Sequence, residues 1–212
     1  MHAPRSCLRQ FAFLFIVGVP LAAQAADEPA SVGIVGNAEN EAKVVSGDTV
    51  TAAIIGTPVH LRDELRTGPE GRLKVTFCDD TVLALGEKAS VVMDRYVCDP
   101  AKDTGETALQ ATKGGFLFAS GRIKELKQNT IVVSRPVADI AVRSTEFWGG
   151  PLDKYGVLVL EGELTVSNQS GSVTLSGTGQ GTDVPSPLDP PGPAKAWGAE
   201  KIARAVATVT LH

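Results

Sequence analysis

"GRLKVTFCDDTVLALG", residues 71–86, sets the class of the fold. Leu73, Val75 and Phe77 alternate with Arg72, Lys74 and Thr76. That is the two-residue period of a strand with one face in a core and the other in water. The "CDD" that follows carries turn chemistry, because a short Asp side chain accepts hydrogen bonds from nearby backbone, and "TVLALG" then resumes a strand. Working outward, "SVVMDRYV" (90–97), "NTIVVS" (129–134), "ADIAV" (138–142) and "GVLVLEGELTVSN" (156–168) repeat the pattern at short spacing, and "GGFLFASGRI" (114–123) sets Phe116 and Phe118 on one face. β-Branched residues dominate these runs, as strands prefer, and no helical period of useful length interrupts them. The spacing predicts an all-β domain, a multi-stranded β-sandwich, β-roll or short β-solenoid.

The flanks differ in character. Residues 1–25 carry Arg5 and Arg9, then the short apolar run "FAFLFIVGVPLAA", then "AQA". This is the layout of a secretory signal peptide cut between Ala25 and Ala26, and the run is too short for a comfortable membrane span. An N-terminal linker is expected over 26–42 and the β domain over 43–176. A Gly/Pro-rich surface linker, "GTGQGTDVPSPLDPPGPAK", is expected over 177–195. The tail, 196–212, switches to helical spacing: Ile202, Val206 and Val209 share one face, with Trp197 just before them.

Composition narrows the function. Of 212 residues, 43% are hydrophobic and 21% charged, an ordinary globular balance, and the net charge is −4. No basic block is present, which argues against nucleic-acid binding, since phosphate contacts need clustered Lys or Arg. The mature chain is expected to be exported and soluble, periplasmic or secreted. Cys7 leaves with the signal. Cys78 and Cys98 remain, in a compartment that permits disulfides, and are either one bridge worth roughly 3 kcal/mol or two small buried thiols.

Catalytic constellations are missing. Of the three histidines, His2 lies in the signal, His212 is the last residue, and His60 stands in "TPVHLRD" without a nucleophile elbow. A histidine-ligated metal site of the cupin kind cannot be assembled. Glu161 and Glu163 flank Gly162 in what reads as a turn or bulge, and Asp79-Asp80 sits at a turn, where acids are ordinarily exposed or bond local backbone. No cofactor and no enzymatic activity are expected.

Taken together, the ordered motifs resemble the FecR-domain family over roughly residues 43–170. Asp63, Leu65, Thr67 and Gly68 match its "G-D-x-I-x-T-G" step. Asp79, Thr81, Leu83 and Leu85 match "D-G-T-x-L-x-L", and Asp94 with Tyr96 matches the following strand. Gly114, Phe116, Phe118, Gly121 and Arg122 are similar to "G-x-F-x-F-x-x-G-K". Pro136, Ala138, Ile140, Val142, Arg143, Thr145 and Phe147 match its most distinctive segment, "T-P-x-A-x-I-x-V-R-G-T-x-F". Three positions depart from it: Ser144 and Asp80 replace glycines and Arg135 replaces threonine.

The best-known members of that family are transmembrane regulators that relay a signal from an outer-membrane receptor to a cytoplasmic sigma factor. Without their anti-sigma and membrane segments, this sequence looks like the stand-alone exported form. The resemblance implies a non-catalytic domain that binds a protein partner in the bacterial envelope, through an exposed strand edge, in signalling or regulation. A carbohydrate or cell-wall binding module and a structural assembly subunit are the alternatives, and the oligomeric state is open. In the signature, Pro136 is expected at a strand start, where its missing N–H is tolerated. Arg143, Ser144 and Thr145 are expected to close that strand at a corner, with Arg143 donating to loop carbonyls or an acid; direct partner contact is the other role for Arg143.

Overall fold

The computed structural model describes residues 30–212. The signal peptide and its Ala25–Ala26 cleavage point lie outside the described residues. Sixteen strands follow one another: β1 (Gly33–Glu39), β2 (Ala42–Ser46), β3 (Thr49–Ala52), β4 (Pro58–Val59), β5 (Glu64–Thr67), β6 (Arg72–Phe77), β7 (Val82–Leu85), β8 (Ser90–Asp99), β9 (Thr104–Lys113), β10 (Phe116–Ala119), β11 (Gln128–Ser134), β12 (Asp139–Pro151), β13 (Tyr155–Asn168), β14 (Gly171–Leu175), β15 (Gln180–Val184) and β16 (Lys195–Ala196). One α-helix, α1 (Ala199–Ala207), comes near the C-terminus, and short 3-10 turns lie at Pro100–Lys102 and Arg122–Glu125. Among the described residues the fold is therefore mostly β with a single short helix, as the alternation predicts.

All the strands belong to one sheet, in the order β3-β2-β5-β8-β9-β11-β12-β10-β7-β6-β1-β4, with β13 branching from β12 and carrying β14 and β15. Every pairing is antiparallel except β9 with β11. The sheet folds back on itself without closing into a barrel. Phe77 on β6 stacks on Tyr96 of β8 with ring centroids 5.2 Å apart, although the two strands lie far from each other in the sheet order. Between the layers lie Leu65, Leu73, Leu83, Leu85, Met93 and the three phenylalanines Phe116, Phe118 and Phe147, all fully buried. Phe116 meets Phe147 edge-on at 5.6 Å, the offset geometry that aromatic quadrupoles favour.

A second, smaller core lies on the outer face of β12 and β13. Trp148, Leu158, Trp197, Ala205 and Val209 cluster there, and the indole N–H of Trp148 donates to Thr208 Oγ1 at 2.9 Å. The C-terminal helix thus docks, but its buried face is centred differently from the expected one: Ala205 and Val209 are buried while Ile202 and Val206 are only half-buried. Trp197 reaches the sheet because β15 offers a glycine. A Cβ on Gly181 would come within 2.3 Å of the Trp197 ring.

Strands extend past both expected limits of the domain. Residues 33–39, placed by sequence in the N-terminal linker, form β1 and pair with β6 and β4. Residues 180–184, placed in the Gly/Pro-rich linker, form β15 and pair with β13. Residues 185–194, between β15 and β16, are free of strand, and this loop is pinned by Asn168 Nδ2 to Asp189 O at 2.7 Å and by the Ser170 hydroxyl to Leu188 O at 2.6 Å. Cys78 and Cys98 are both free thiols, the first exposed and the second half-buried; the bridged alternative is not formed in this structure.

Candidate binding groove at the Arg143 bulge

The signature runs along β12. Pro136 is exposed just before the strand, and Ala138, Ile140 and Val142 point into the core. Strict alternation would next send residue 144 inward. Instead the register against β13 shifts between Arg143 and Glu146, a β-bulge that inserts an extra residue and resets which side chains face the core. Thr145 and Phe147 are buried as a result. Ser144, which stands where the family usually has glycine, falls within this register shift; its side chain lies outside the described residues.

Thr145 locks the bulge. Its hydroxyl lies 2.6 Å from Glu163 O and 2.8 Å from Arg143 O. Its N–H donates to Ser120 Oγ at 3.3 Å, and its carbonyl accepts from Ser120 N and Oγ at 3.2 and 3.0 Å. This side chain bonds the backbone of both β12 and β13 at the bulge. Ser120 is the partner that the sequence did not single out.

Arg143 behaves otherwise. It is exposed on the outer face of β12, opposite Glu163 in the register, and among the described residues its guanidinium donates to no loop carbonyl and forms no ion pair. The expected corner-closing role is therefore not the one the geometry gives it. Arg143 instead borders a surface groove of about 470 Å³ whose floor is Thr130, Val132 and Ala141 and whose wall carries Lys124 and Lys127 from the turn after β10. Lys127 is ion-paired to Asp103 at 3.3 Å. On the other side of the bulge Glu146 and Glu161 occupy the same register position and border a smaller hollow of about 220 Å³. Like charges directly opposite on a sheet are destabilising. Lys124 also lines the smaller hollow and the exposed Glu163 faces Arg143, so charges of both signs lie on either side of the bulge.

The other motif residues lie inside. Asp79, 1% exposed, sits in the β6–β7 turn. Its carboxylate accepts from Thr81 N at 3.0 Å, Thr81 Oγ1 at 2.8 Å, Ile123 N at 3.0 Å and the Tyr96 hydroxyl. Burial pushes its pKa up, but the bonds from Tyr96, Thr81 and Ile123 together outweigh burial and hold it below the usual carboxylate range. Tyr96 is pushed the opposite way, by burial first and then by the bond to Asp79. Asp63 accepts from His60 N at 2.7 Å and from the Ser46 hydroxyl. Thr67 donates to Gly86 O at 2.6 Å and accepts from Ala89 N at 2.8 Å. Each of these buried groups ties a turn to a neighbouring strand, which is how buried polar groups are ordinarily satisfied. His60 is half-buried, with Nδ1 3.5 Å from Asp63, and among the described residues no nucleophile is paired with it. Among the described residues no cluster of three His, Cys, Asp or Glu is placed to hold a metal ion, and no helix is long and apolar enough to cross a membrane.

The described residues thus form one rolled β sheet whose turns are tied by buried Asp and Thr side chains. Residues 63–174 match the FecR protein family, and the chain belongs to that family. Two crystal structures of a candidate anti-sigma factor from Parabacteroides distasonis ATCC 8503 are similar in fold, each with a TM-score of 0.51 at 19% identity over 66% of this chain and 62% of that one. The chain therefore matches less than two thirds of that protein's length. No match was found among curated proteins.

Proposed function

We propose that this protein is a non-catalytic, exported FecR-domain protein that binds a protein partner in the bacterial envelope and serves signalling or regulation. The observation that carries the reading is the exposure of Arg143: the one charged residue of the signature faces solvent beside a groove instead of bonding within the fold. Arg is favoured at the centre of protein interfaces, and a surface carrying charges of both signs orients a partner as well as attracting it. Family membership and the anti-sigma-factor likeness support a regulatory role. A glycan-binding platform is disfavoured, because every described aromatic side chain is buried or half-buried.

The test is a photo-crosslinking residue placed at Ala141 in the groove, with one at Thr174 on β14 as control, in cells that export the protein. The expected result is one dominant crosslinked protein at Ala141, lost when Arg143→Ala is added. Identical products from both positions, or none, refute the assignment of the surface. Export itself is checked by N-terminal sequencing of the periplasmic or secreted protein, which should begin at Ala26.

A further inference from the structure

We infer that edge strand β3 pairs with β3 of a second copy, giving a two-fold dimer through sheet continuation. β3 ends the sheet and is bonded on one side only, to β2. All four of its residues are exposed. Edge strands are commonly guarded by charge, proline or a bulge. Here residues 49–57, "TVTAAIIGT", contain none of these, and Val50, Ile54 and Ile55 are 58%, 67% and 72% exposed.

The hairpin geometry fixes which backbone groups are available. β2 and β3 are joined by the two-residue turn Gly47-Asp48, and Ala53 N bonds Ala42 O at 2.9 Å. Bonding alternates along an antiparallel strand, so Thr49 and Thr51 also turn their backbone groups toward β2. Val50 and Ala52 aim their N–H and C=O at solvent. A two-fold axis normal to the sheet, placed at Thr51, sets Val50 of each copy opposite Ala52 of the other. That register satisfies both outward residues of both copies in two hydrogen-bonded pairs, with the two Thr51 side chains facing each other in the non-bonded pair between them.

The occupant is a second copy because this register is self-complementary. Asp48, the nearest charge, lands opposite Ile54 rather than another acid, so no like charges meet. A closed two-fold pair also covers the exposed edge on both partners at once. The contact is short, near or below the ~1,000 Å² at which specific interfaces become stable, so the dimer depends on concentration.

Cysteine crosslinking of the full chain reads the register. Non-bonded antiparallel pairs bring Cα atoms to about 4.5 Å, within disulfide reach, whereas residue 50 of one copy faces residue 52 of the other. Under mild oxidation Thr51→Cys should give a reducible covalent dimer at least tenfold more readily than Val50→Cys or the parent with its native cysteines. In sedimentation, the parent should self-associate with rising concentration, and Ala52→Pro, which removes an outward N–H, should stay monomeric with an unchanged melting temperature. Equal crosslinking of Thr51→Cys and Val50→Cys, a parent that is monomeric at every concentration, or a Thr51→Cys protein that crosslinks only to a foreign strand would each overturn the inference.

Discussion

Tyr96 on β8 gives its phenolic hydrogen to the carboxylate of Asp79, joining the β6–β7 turn to the opposing layer of the sheet. Asp79 also holds the start of the 3-10 turn at Arg122–Glu125 through Ile123 N, so three separate segments meet on one side chain. Asp79→Asn keeps the shape but removes acceptor capacity, and leaving one buried donor unmatched costs about 2 kcal/mol. For a chain of this size that corresponds to a melting temperature lower by roughly 5 °C, measurable by calorimetry.

The same residue sets an acid limb. Its pKa is held down in the folded state, so the stabilisation is complete above the unfolded carboxylate value, about 3.9. It is lost as pH falls through the lower folded value. Denaturant titrations between pH 6 and 2 should show the parent losing stability over the acid range and Asp79→Asn losing less, since it has no proton to take up at that position.

Thr145 and Arg143 should separate cleanly. Thr145→Val removes the hydroxyl that reaches Arg143 O and Glu163 O and should cost about 1–3 kcal/mol. Arg143→Ala alters an exposed side chain and should stay within about 0.5 kcal/mol of the parent. Urea midpoints of the two variants, read beside the crosslinking yield, distinguish the lock from the contact residue.

Arg135 is a charge held in a half-buried place. Its guanidinium lies 4.4 Å over the Tyr155 ring and donates to Gly114 O at 3.2 Å, but among the described residues Nε has no hydrogen-bond partner and no acid pairs with it. Burial lowers its pKa, and burial likewise pushes Tyr155 up to about 12. Replacing a poorly compensated buried ion by an apolar chain of similar length is often neutral or stabilising. Arg135→Met should therefore match or exceed the parent's stability by about 1 kcal/mol, whereas Arg135→Ala should lower it by opening space beside Tyr155. Guanidinium denaturation compares the two.

The thiols should differ in rate. Cys78 is exposed, while Cys98 is half-buried with its pKa raised by burial and then by the nearby Asp79 charge. The thiolate is the reactive form, so a disulfide reagent at neutral pH should modify Cys78 well before Cys98. Mass mapping of a short labelling pulse checks the order.

The strands with a plain two-residue period were legible from residues 72–77, 129–134 and 138–142, because their alternation reports directly on a one-sided core. β15 was not, because "QGTDV" has little apolar content. It is a strand because Gly181 lets the Trp197 ring lie against its backbone, a long-range contact with no local signature. β1, "GIVGNAE", escaped for a similar reason. The left-handed turn at Asp80, φ 67°, was readable, since Asp adopts that conformation more easily than most residues. The direction of Arg143 was not. The bulge between Arg143 and Glu146 changes which side chains face inward, and its existence depends on the β13 register rather than on β12 alone. Lys124 and Lys127 reach the groove from a turn whose path no periodicity encodes.

The two tryptophans are the only ones in the chain, and both sit in the small outer cluster with ring centroids 6.2 Å apart. Indole emission therefore reports on one place, the seat of the C-terminal segment, and is silent about the phenylalanine-lined interior. An optical melting curve followed at tryptophan wavelengths records the tail lifting from β12 and β15. Circular dichroism of the sheet records the rest, and any gap between the two transitions measures how independently the tail comes away.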